Sequence, residues 1–227
     1  MVQNRISFAI AVLVFGIVTI SPAWSKSKPA VDSEGMELVR DSELATVYAD
    51  PGADLSIYNS VWLQDAEVSF RKNWARDLQR STTRMRIRTS DMEKIQDDVA
   101  TLFREVFAKE LTDGGYQLVE EAGEDVLLVK PAIVNLDVVA PDLKSASFSR
   151  SYSNRAGEMT LNVELFDSLT NDKIAKAIDR KRDYDRGYAE WRTSVSNRAV
   201  ARRMMIVWAK ALRSALDEAR ASTSRSE

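Results

Sequence analysis

The chain of 227 residues contains no cysteine and no histidine. Without histidine it can form neither a Ser-His-Asp triad nor an imidazole base that titrates near neutral pH. Without either residue a zinc site loses its usual ligands, and thiol chemistry and disulfides are excluded. An enzyme built from this sequence would depend on carboxylates, Lys, Arg, Tyr, Ser or Thr. We therefore expect no metal site, no cofactor and no catalytic residues.

An excess of one charge is also missing. The chain has 32 Lys and Arg residues and 34 Asp and Glu residues, a net charge of −2. A nucleic-acid-binding domain usually carries a marked excess of basic residues, so we expect no nucleic-acid partner. Hydrophobic residues make up 44% of the chain and charged residues 29%, a globular balance that argues against wholesale disorder.

Long apolar runs are missing after the N-terminus. Residues 6–20 form one such run, with Arg5 before it and Ser-Pro-Ala-Trp-Ser after it. This is the layout of a secretory signal peptide with small residues at Ala23 and Ser25. The run is shorter than the about 20 apolar residues of a membrane span. We predict cleavage after Ser25 and a periplasmic protein with no further transmembrane segment. The alternative is an inner-membrane tether through an uncleaved N-terminus.

The organisation expected of the chain is therefore one domain behind a leader. Residues 1–25 are the predicted signal peptide, and residues 26–45, which are polar and contain Pro and Gly, are predicted to be a flexible leader. Residues 46–221 form a single α+β domain, long enough for one hydrophobic core. Residues 222–227 are predicted to be a disordered tail.

Two segments have the apolar spacing of amphipathic helices. The first begins at a capping box formed by Ser90 and Glu93 and ends at Gly114-Gly115. The second extends from about Ser194 to Arg220. Their predicted buried residues are Met92, Ile95, Val99, Leu102, Phe103, Val106 and Leu111 in the first, and Val200, Met204, Val207, Trp208, Ala211, Leu212 and Ala215 in the second.

Other segments have the pattern of strands. Residues 126–139 and 158–166 alternate apolar and polar side chains, which predicts a sheet with one packed face and one solvated face, hence mostly antiparallel. In the first of these, Val134, Leu136 and Val138 are expected on one face, and Pro131 implies a bulge or an edge position. The predicted fold is an α+β domain in the order β-α-β-β-β-β-α. It has a mostly antiparallel sheet of four to five strands with two amphipathic helices packed on one face.

The best candidate for a binding surface is an arginine-rich segment, residues 71–88. Arginine pairs bidentately with phosphate and carboxylate, so this segment could hold an anionic partner. The alternative is a solvated loop that docks on neighbouring acidic residues. Its basic residues are Arg71, Lys72, Arg76, Arg80, Arg84, Arg86 and Arg88, and Trp74 lies among them.

Two loops are further candidates. Residues 140–157 contain five serines with Arg150, Tyr152 and Arg155, a composition that could bind glycan or anion or form the tip of an extended hairpin. Residues 183–191 contain several aromatic rings, which either form an interface or fix the loop onto the domain. The candidate binding surface thus comprises Trp74, Arg84, Arg86, Arg88, Arg150, Tyr152 and Arg155.

A family resemblance is carried by short segments spread along the chain. They are residues 47–58, 68–74, 115–116, 125–127, 140–142, 149–153, 156–158, 167–170, 197–198 and 208–209. Asp50-Pro51-Gly52 and Ser149-Arg150-Ser151-Tyr152-Ser153 are examples of the motifs. The chain resembles a family of bacterial envelope proteins known as domain of unknown function thirty-three thirteen, many of whose members are candidate lipoproteins. The resemblance spans nearly the whole mature chain and implies no activity, cofactor or catalytic residue. This chain lacks the acylated cysteine of the lipoprotein members, which favours a soluble periplasmic protein.

These observations favour a non-enzymatic, envelope-associated binding or accessory module whose partner is an envelope protein or an anionic glycolipid. One alternative is a carboxylate-dependent hydrolase of envelope polysaccharide, which needs two Asp or Glu side chains about 5–10 Å apart. The acidic pairs Asp97/Asp98, Glu120/Glu121 and Glu124/Asp125 are adjacent in sequence and are expected to be solvated surface. A second alternative is a structural subunit of a homo-oligomer.

Overall fold

The computed structural model describes residues 28, 30–81, 87–138, 151–153, 157–183, 190–192 and 194–223. The predicted signal peptide and residues 224–227 lie outside these ranges. Within them, the strands are β1 (Glu37–Leu38), β2 (Thr46–Ala49), β3 (Ser60–Leu63), β4 (Glu67–Phe70), β5 (Gln117–Leu118), β6 (Val126–Asp137), β7 (Ser151–Ser153), β8 (Glu158–Asp167), β9 (Lys173–Arg182) and β10 (Glu190–Arg192). The helices are α1 (Trp74–Ser81), α2 (Thr89–Asp113) and α3 (Ser194–Thr223), with a short 3-10 helix at Leu55–Ile57.

Eight strands form one mixed sheet in the order β1-β2-β9-β8-β6-β3-β5, with β4 also paired to β6. The long strands β6, β8 and β9 are antiparallel, and β2 and β1 extend the sheet antiparallel beyond β9. β3 and β4 are parallel to β6, and β5 is parallel to β3. The α+β class is confirmed. The expectation of four to five mostly antiparallel strands and two helices understates the sheet and misses α1.

The parallel pairs result from the helical connection between β4 and β5. Parallel neighbours need a crossover of a dozen or more residues, and α1 and α2 supply it. The segment 57–70 contains the two short strands β3 and β4, which pair with successive parts of β6. Pro131 lies where β6 changes from one partner to the other. Pro131 is therefore accommodated in a central strand and not at an edge.

A bulge in β6 shifts the alternation that the sequence predicts. Asn135 has a positive φ of 54°, and the pairing with β8 changes register between Val134 and Asp137. Asparagine adopts this left-handed conformation more readily than most residues. As a result Ile133 and Leu136 are buried, while Val134 is half-buried. The expectation of Val134 and Leu136 on one face is wrong for this reason.

The long helices α2 and α3 pack on one face of the sheet, as expected, and share a single core with β6, β8 and β9. The capping box of α2 consists of Arg88 at the N-cap and Asp91 at N3, whose carboxylate accepts a hydrogen bond from the Arg88 N–H at 3.0 Å, and not of the predicted Ser90 and Glu93. In α3 the predicted residues Met204, Trp208 and Ala211 are buried, whereas Val207 is 45% exposed and Ala215 is also exposed. The fully buried α3 residues that the prediction omitted are Met205, Ala209 and Leu216.

The predicted flexible leader is folded over residues 30–45. Met36 is buried, and β1 pairs with β2 at the sheet edge. Glu34 forms ion pairs with Lys173 at 2.9 Å and Lys176 at 2.7 Å, and Asp32 also pairs with Lys176. The prediction is wrong here because these basic partners lie about 140 residues away in the chain and leave no local signal.

Candidate functional site

An apolar cavity of about 280 Å³ lies between the sheet and the C-terminal half of α3. Strands β2, β8 and β9 form its floor, and α3 forms one wall. Residues 39–45, which we call the strap, extend from β1 to β2 and border the cavity along residues 39–44. The side chains that line its interior are mainly aliphatic, among them Leu44, Val47, Leu161, Val163, Leu165 and Leu212.

Small side chains on facing elements create the cavity. Ala175 and Ala177 lie on β9, and Ala211 and Ala215 lie on α3. Core positions of a packed domain are usually filled by larger apolar residues to a density close to that of organic crystals. Ala175, Ala177 and Ala211 are buried and Ala215 is exposed, so the space that these small side chains leave is partly open to solvent. The pattern in the sequence that indicates this site is therefore the presence of alanines among the larger apolar residues of β9 and α3.

The polar groups of the site lie at its border. Arg40, Asp41 and Glu43 lie on the strap, and Glu218 lies on α3. The remaining charged residue of the border, Lys176, is held by its ion pairs with Asp32 and Glu34. Hydrogen bonds to these two carboxylates raise the pKa of Lys176 above its usual value, so that its ammonium group stays charged.

Asp179 connects the strap to α3 and to the sheet. It is 4% exposed, and one carboxylate oxygen accepts a hydrogen bond from Trp208 Nε1 at 2.7 Å. Its other oxygen accepts from the Ala45 N–H at 3.1 Å, and Lys181 Nζ lies 3.0 Å from the carboxylate. Since Trp208 also lines the cavity, this single carboxylate fixes both the strap and one wall.

The carboxyl groups whose pKa is shifted are not among the residues that line the cavity. The part of the chain that the structure describes contains no group of three or more Asp and Glu side chains placed to hold a metal ion. In the same residues, hydrogen bonds lower the pKa of the carboxyl groups of Asp32, Glu34, Asp54, Asp77 and Asp167, and the positive charge of Lys or Arg contributes at Asp32, Glu34 and Asp77. A carboxyl group that donates a proton in glycoside cleavage needs a raised pKa.

The structure places the first predicted surface residue, Trp74, in the interior. Its side chain is 2% exposed, stacks on Phe70 with ring centroids 4.1 Å apart, and donates from Nε1 to the Val138 carbonyl at 3.1 Å. Trp74 therefore anchors α1 and is not available to a partner. Arg88 is exposed at the start of α2. Four other predicted residues, Arg84, Arg86, Arg150 and Arg155, lie outside the described residues.

The two candidate loops meet each other. Tyr152 lies on β7, which pairs antiparallel with β10 so that Tyr152 is opposite Trp191. The segments 140–157 and 183–191, treated separately in the sequence, thus contribute one strand each to a small two-stranded sheet. The two candidate loops are therefore joined by the pairing of β7 with β10. Residues 184–189, with two of the predicted aromatic rings, lie outside the described ranges.

The family of the chain follows from a comparison with family models. Residues 31–212 match the model of a family described as "Protein of unknown function (DUF3313)". The chain belongs to this family. The resemblance noted in the sequence is thereby confirmed, and the match begins inside the stretch that folds onto the sheet edge. None of the curated proteins compared with the chain matches it.

Similar solved structures share little sequence with the chain. A PelC dodecamer from Paraburkholderia phytofirmans is 11% identical, with a TM-score of 0.37 over 71% of this chain and 92% of that one. A protein described as a candidate lipoprotein from Caulobacter crescentus is 11% identical, with a TM-score of 0.32 over 77% of this chain and 95% of that one. At these TM-scores the likenesses carry no conclusion about ligand or assembly. Among the described residues, none of the helices is both long and apolar enough to span a membrane.

Proposed function

We propose that the protein is an exported, non-enzymatic binding module of the cell envelope that holds the aliphatic chain of an amphiphile in the cavity beneath α3. The observation that carries this proposal is the aliphatic cavity of about 280 Å³. Export is supported by the signal-peptide pattern of residues 1–25. The binding role is supported by the lining, which offers apolar contact inside and polar groups only at the border.

The size of the cavity supports an occupant. Its volume equals that of roughly nine water molecules at about 30 Å³ each and lies just below the about 300–1,000 Å³ of many small-molecule sites. An apolar ligand in the cavity would remove part of its lining from water, and each methylene group that is buried there contributes about 0.8 kcal/mol.

The chemistry of the lining selects an aliphatic chain over other ligands. A sugar or a nucleotide needs hydrogen-bond partners along its whole length, and burial of its polar groups without them costs several kcal/mol. Inside this cavity such partners are few, because its polar side chains are those of the strap, Lys176 of β9, and Ser214 and Glu218 of α3. A flexible aliphatic chain needs only apolar contact, and its head group can remain at the border.

Titration with uncharged alkyl glycosides of increasing chain length tests the proposal by calorimetry. We expect the affinity to rise about fourfold with each added methylene, since each buried methylene contributes about 0.8 kcal/mol, and to level off when the cavity is full. Ala211→Leu should fill part of the cavity and weaken binding. Ala221→Leu, on an exposed part of the same helix, is the matched control.

Two outcomes would contradict the proposal. One is an absence of binding at every chain length in a correctly folded protein. The other is binding that Ala211→Leu and Ala221→Leu leave equally strong, since the ligand would then occupy a different place. The hydrolase of envelope polysaccharide and the homo-oligomer subunit remain predictions of the sequence.

A further inference from the structure

A group of exposed basic side chains lies on and next to α1, and none of these residues lines the cavity. Helix α1 is strongly amphipathic: Trp74, Ala75 and Leu78 face a small apolar cluster, whereas Arg76 and Arg80 face solvent. Arg76 and Arg80 are four residues apart, about 6 Å along the helix axis. Lys72, also exposed, precedes Arg76 by the same interval in sequence.

Arg88 extends this group from the start of α2. Ile87 packs against Trp74, and Gln79 of α1 donates from Nε2 to the Ile87 carbonyl at 3.4 Å. These contacts hold the exposed Arg88 beside α1. We call Lys72, Arg76, Arg80 and Arg88 the basic row.

The acidic groups nearest to the basic row are largely occupied. Asp77, the one acidic residue of α1, accepts a hydrogen bond from Arg71 at 2.8 Å, and it lies 3.5 Å from Arg76. Arg71 also bonds Asp137 at 2.6 Å, so that it joins α1 to β6 and is not part of the row. Asp91 is 8% exposed and accepts from the Arg88 N–H.

Within the basic row, Arg76 and Arg80 repel each other, and this repulsion is partly offset by the ion pair between Arg76 and Asp77. Like charges four residues apart destabilise a helix by a few tenths of a kcal/mol. Protein partners are usually recognised by buried aromatic or aliphatic anchors. Among the described residues, the large apolar side chains that are exposed lie on other segments, and Trp74 is buried. A cationic surface without an apolar anchor is suited to a layer of phosphate groups.

We propose that the basic row docks the protein on the surface of an anionic phospholipid membrane. The contact is electrostatic and peripheral, because the buried Trp74 does not reach the acyl region. It therefore weakens when salt shortens the screening length, which falls from about 10 Å at 0.1 M to about 3 Å at 1 M. This docking is independent of the cavity, which lies at the C-terminal half of α3.

Vesicle flotation with the full chain tests this proposal. The readout is the ratio of binding to vesicles of phosphatidylcholine with phosphatidylglycerol over binding to phosphatidylcholine alone. This ratio cancels any contribution of the apolar residues 6–20. We expect the wild type to prefer the anionic vesicles and Arg76→Ser with Arg80→Ser to lose about 30-fold of that preference, since each basic side chain near an anionic surface contributes about fivefold.

The matched control is Arg203→Ser with Lys210→Ser, which removes two exposed basic residues of α3. It should retain most of the preference, and 0.5 M salt should abolish the preference of the wild type. The proposal is overturned if the wild type binds both kinds of vesicle equally, or if the α1 and α3 variants lose the same amount. It is also overturned if an acidic soluble protein, and no vesicle, binds through the basic row. Binding of alkyl glycosides should be unchanged in both variants.

Discussion

Removal of the Asp179 carboxylate should destabilise the domain and release the strap. Asp179→Ala leaves the indole N–H of the fully buried Trp208 without a hydrogen-bond partner, at a cost of about 1–3 kcal/mol. The Ala45 N–H also loses its partner. Lys181 is 30% exposed and can be resolvated at little cost. The expected loss of unfolding free energy is about 3 kcal/mol, a decrease of about 6–12 °C in Tm for a domain of this size.

Urea unfolding followed by tryptophan fluorescence measures the loss, and a double-mutant cycle with Trp208→Phe isolates the hydrogen bond. The coupling energy between the two positions should be about 1.5–3 kcal/mol, as for other hydrogen bonds to a charged group. Asp172→Ala, in an exposed turn, is the control and should change stability by less than about 0.5 kcal/mol. Hydrogen exchange of the Ala45 amide should accelerate in Asp179→Ala. Additive single effects, with unchanged exchange at Ala45, would refute the reasoning.

Three further predictions concern pH and backbone conformation. Burial and a hydrogen bond to Asp217 raise the pKa of Tyr116 to about 12. Because the pKa of tyrosine in the unfolded chain is about 10, the free energy of unfolding should decrease as pH rises from about 10 towards 12. Tyr116→Phe should reduce this decrease in alkaline unfolding. Hydrogen bonds from Lys176 and Lys173 lower the pKa of Glu34, so that docking of residues 30–45 should be present above about pH 4.3 and lost below it, as measured by limited proteolysis. Lys176→Gln should give the same cleavage at neutral pH, and resistance of this variant would contradict the role of the ion pairs. Asn135→Val should lower the free energy of unfolding in urea by about 1–2 kcal/mol because residue 135 has a positive φ. Asn135→Gly should lower it by less, because glycine adopts this conformation without strain. Equal losses in the two variants would contradict the conformational explanation.

The helices and strands with a local periodic pattern can be predicted from the amino-acid sequence alone. The alternation of residues 158–166 places Met159, Leu161, Val163 and Leu165 on the core face, as the structure has them in β8. The apolar spacing and the terminal glycines of α2 predict its extent to within about one residue. The period of two residues in strands and of about 3.6 residues in helices involves residues that are close together in sequence. The motifs that identify the family are also short runs of consecutive residues. These features therefore needed no tertiary information.

Contacts between residues that are distant in sequence are seen only in the folded structure. The docking of residues 30–45 needs Lys173 and Lys176, and the parallel pairing of β3 with β5 needs the helices between them. The cavity exists only because alanines of β9 face alanines of α3, and Asp179 acquires its role only when Trp208 and Ala45 reach it. Each of these contacts joins segments that no local pattern relates, so their meeting follows from how the whole chain packs.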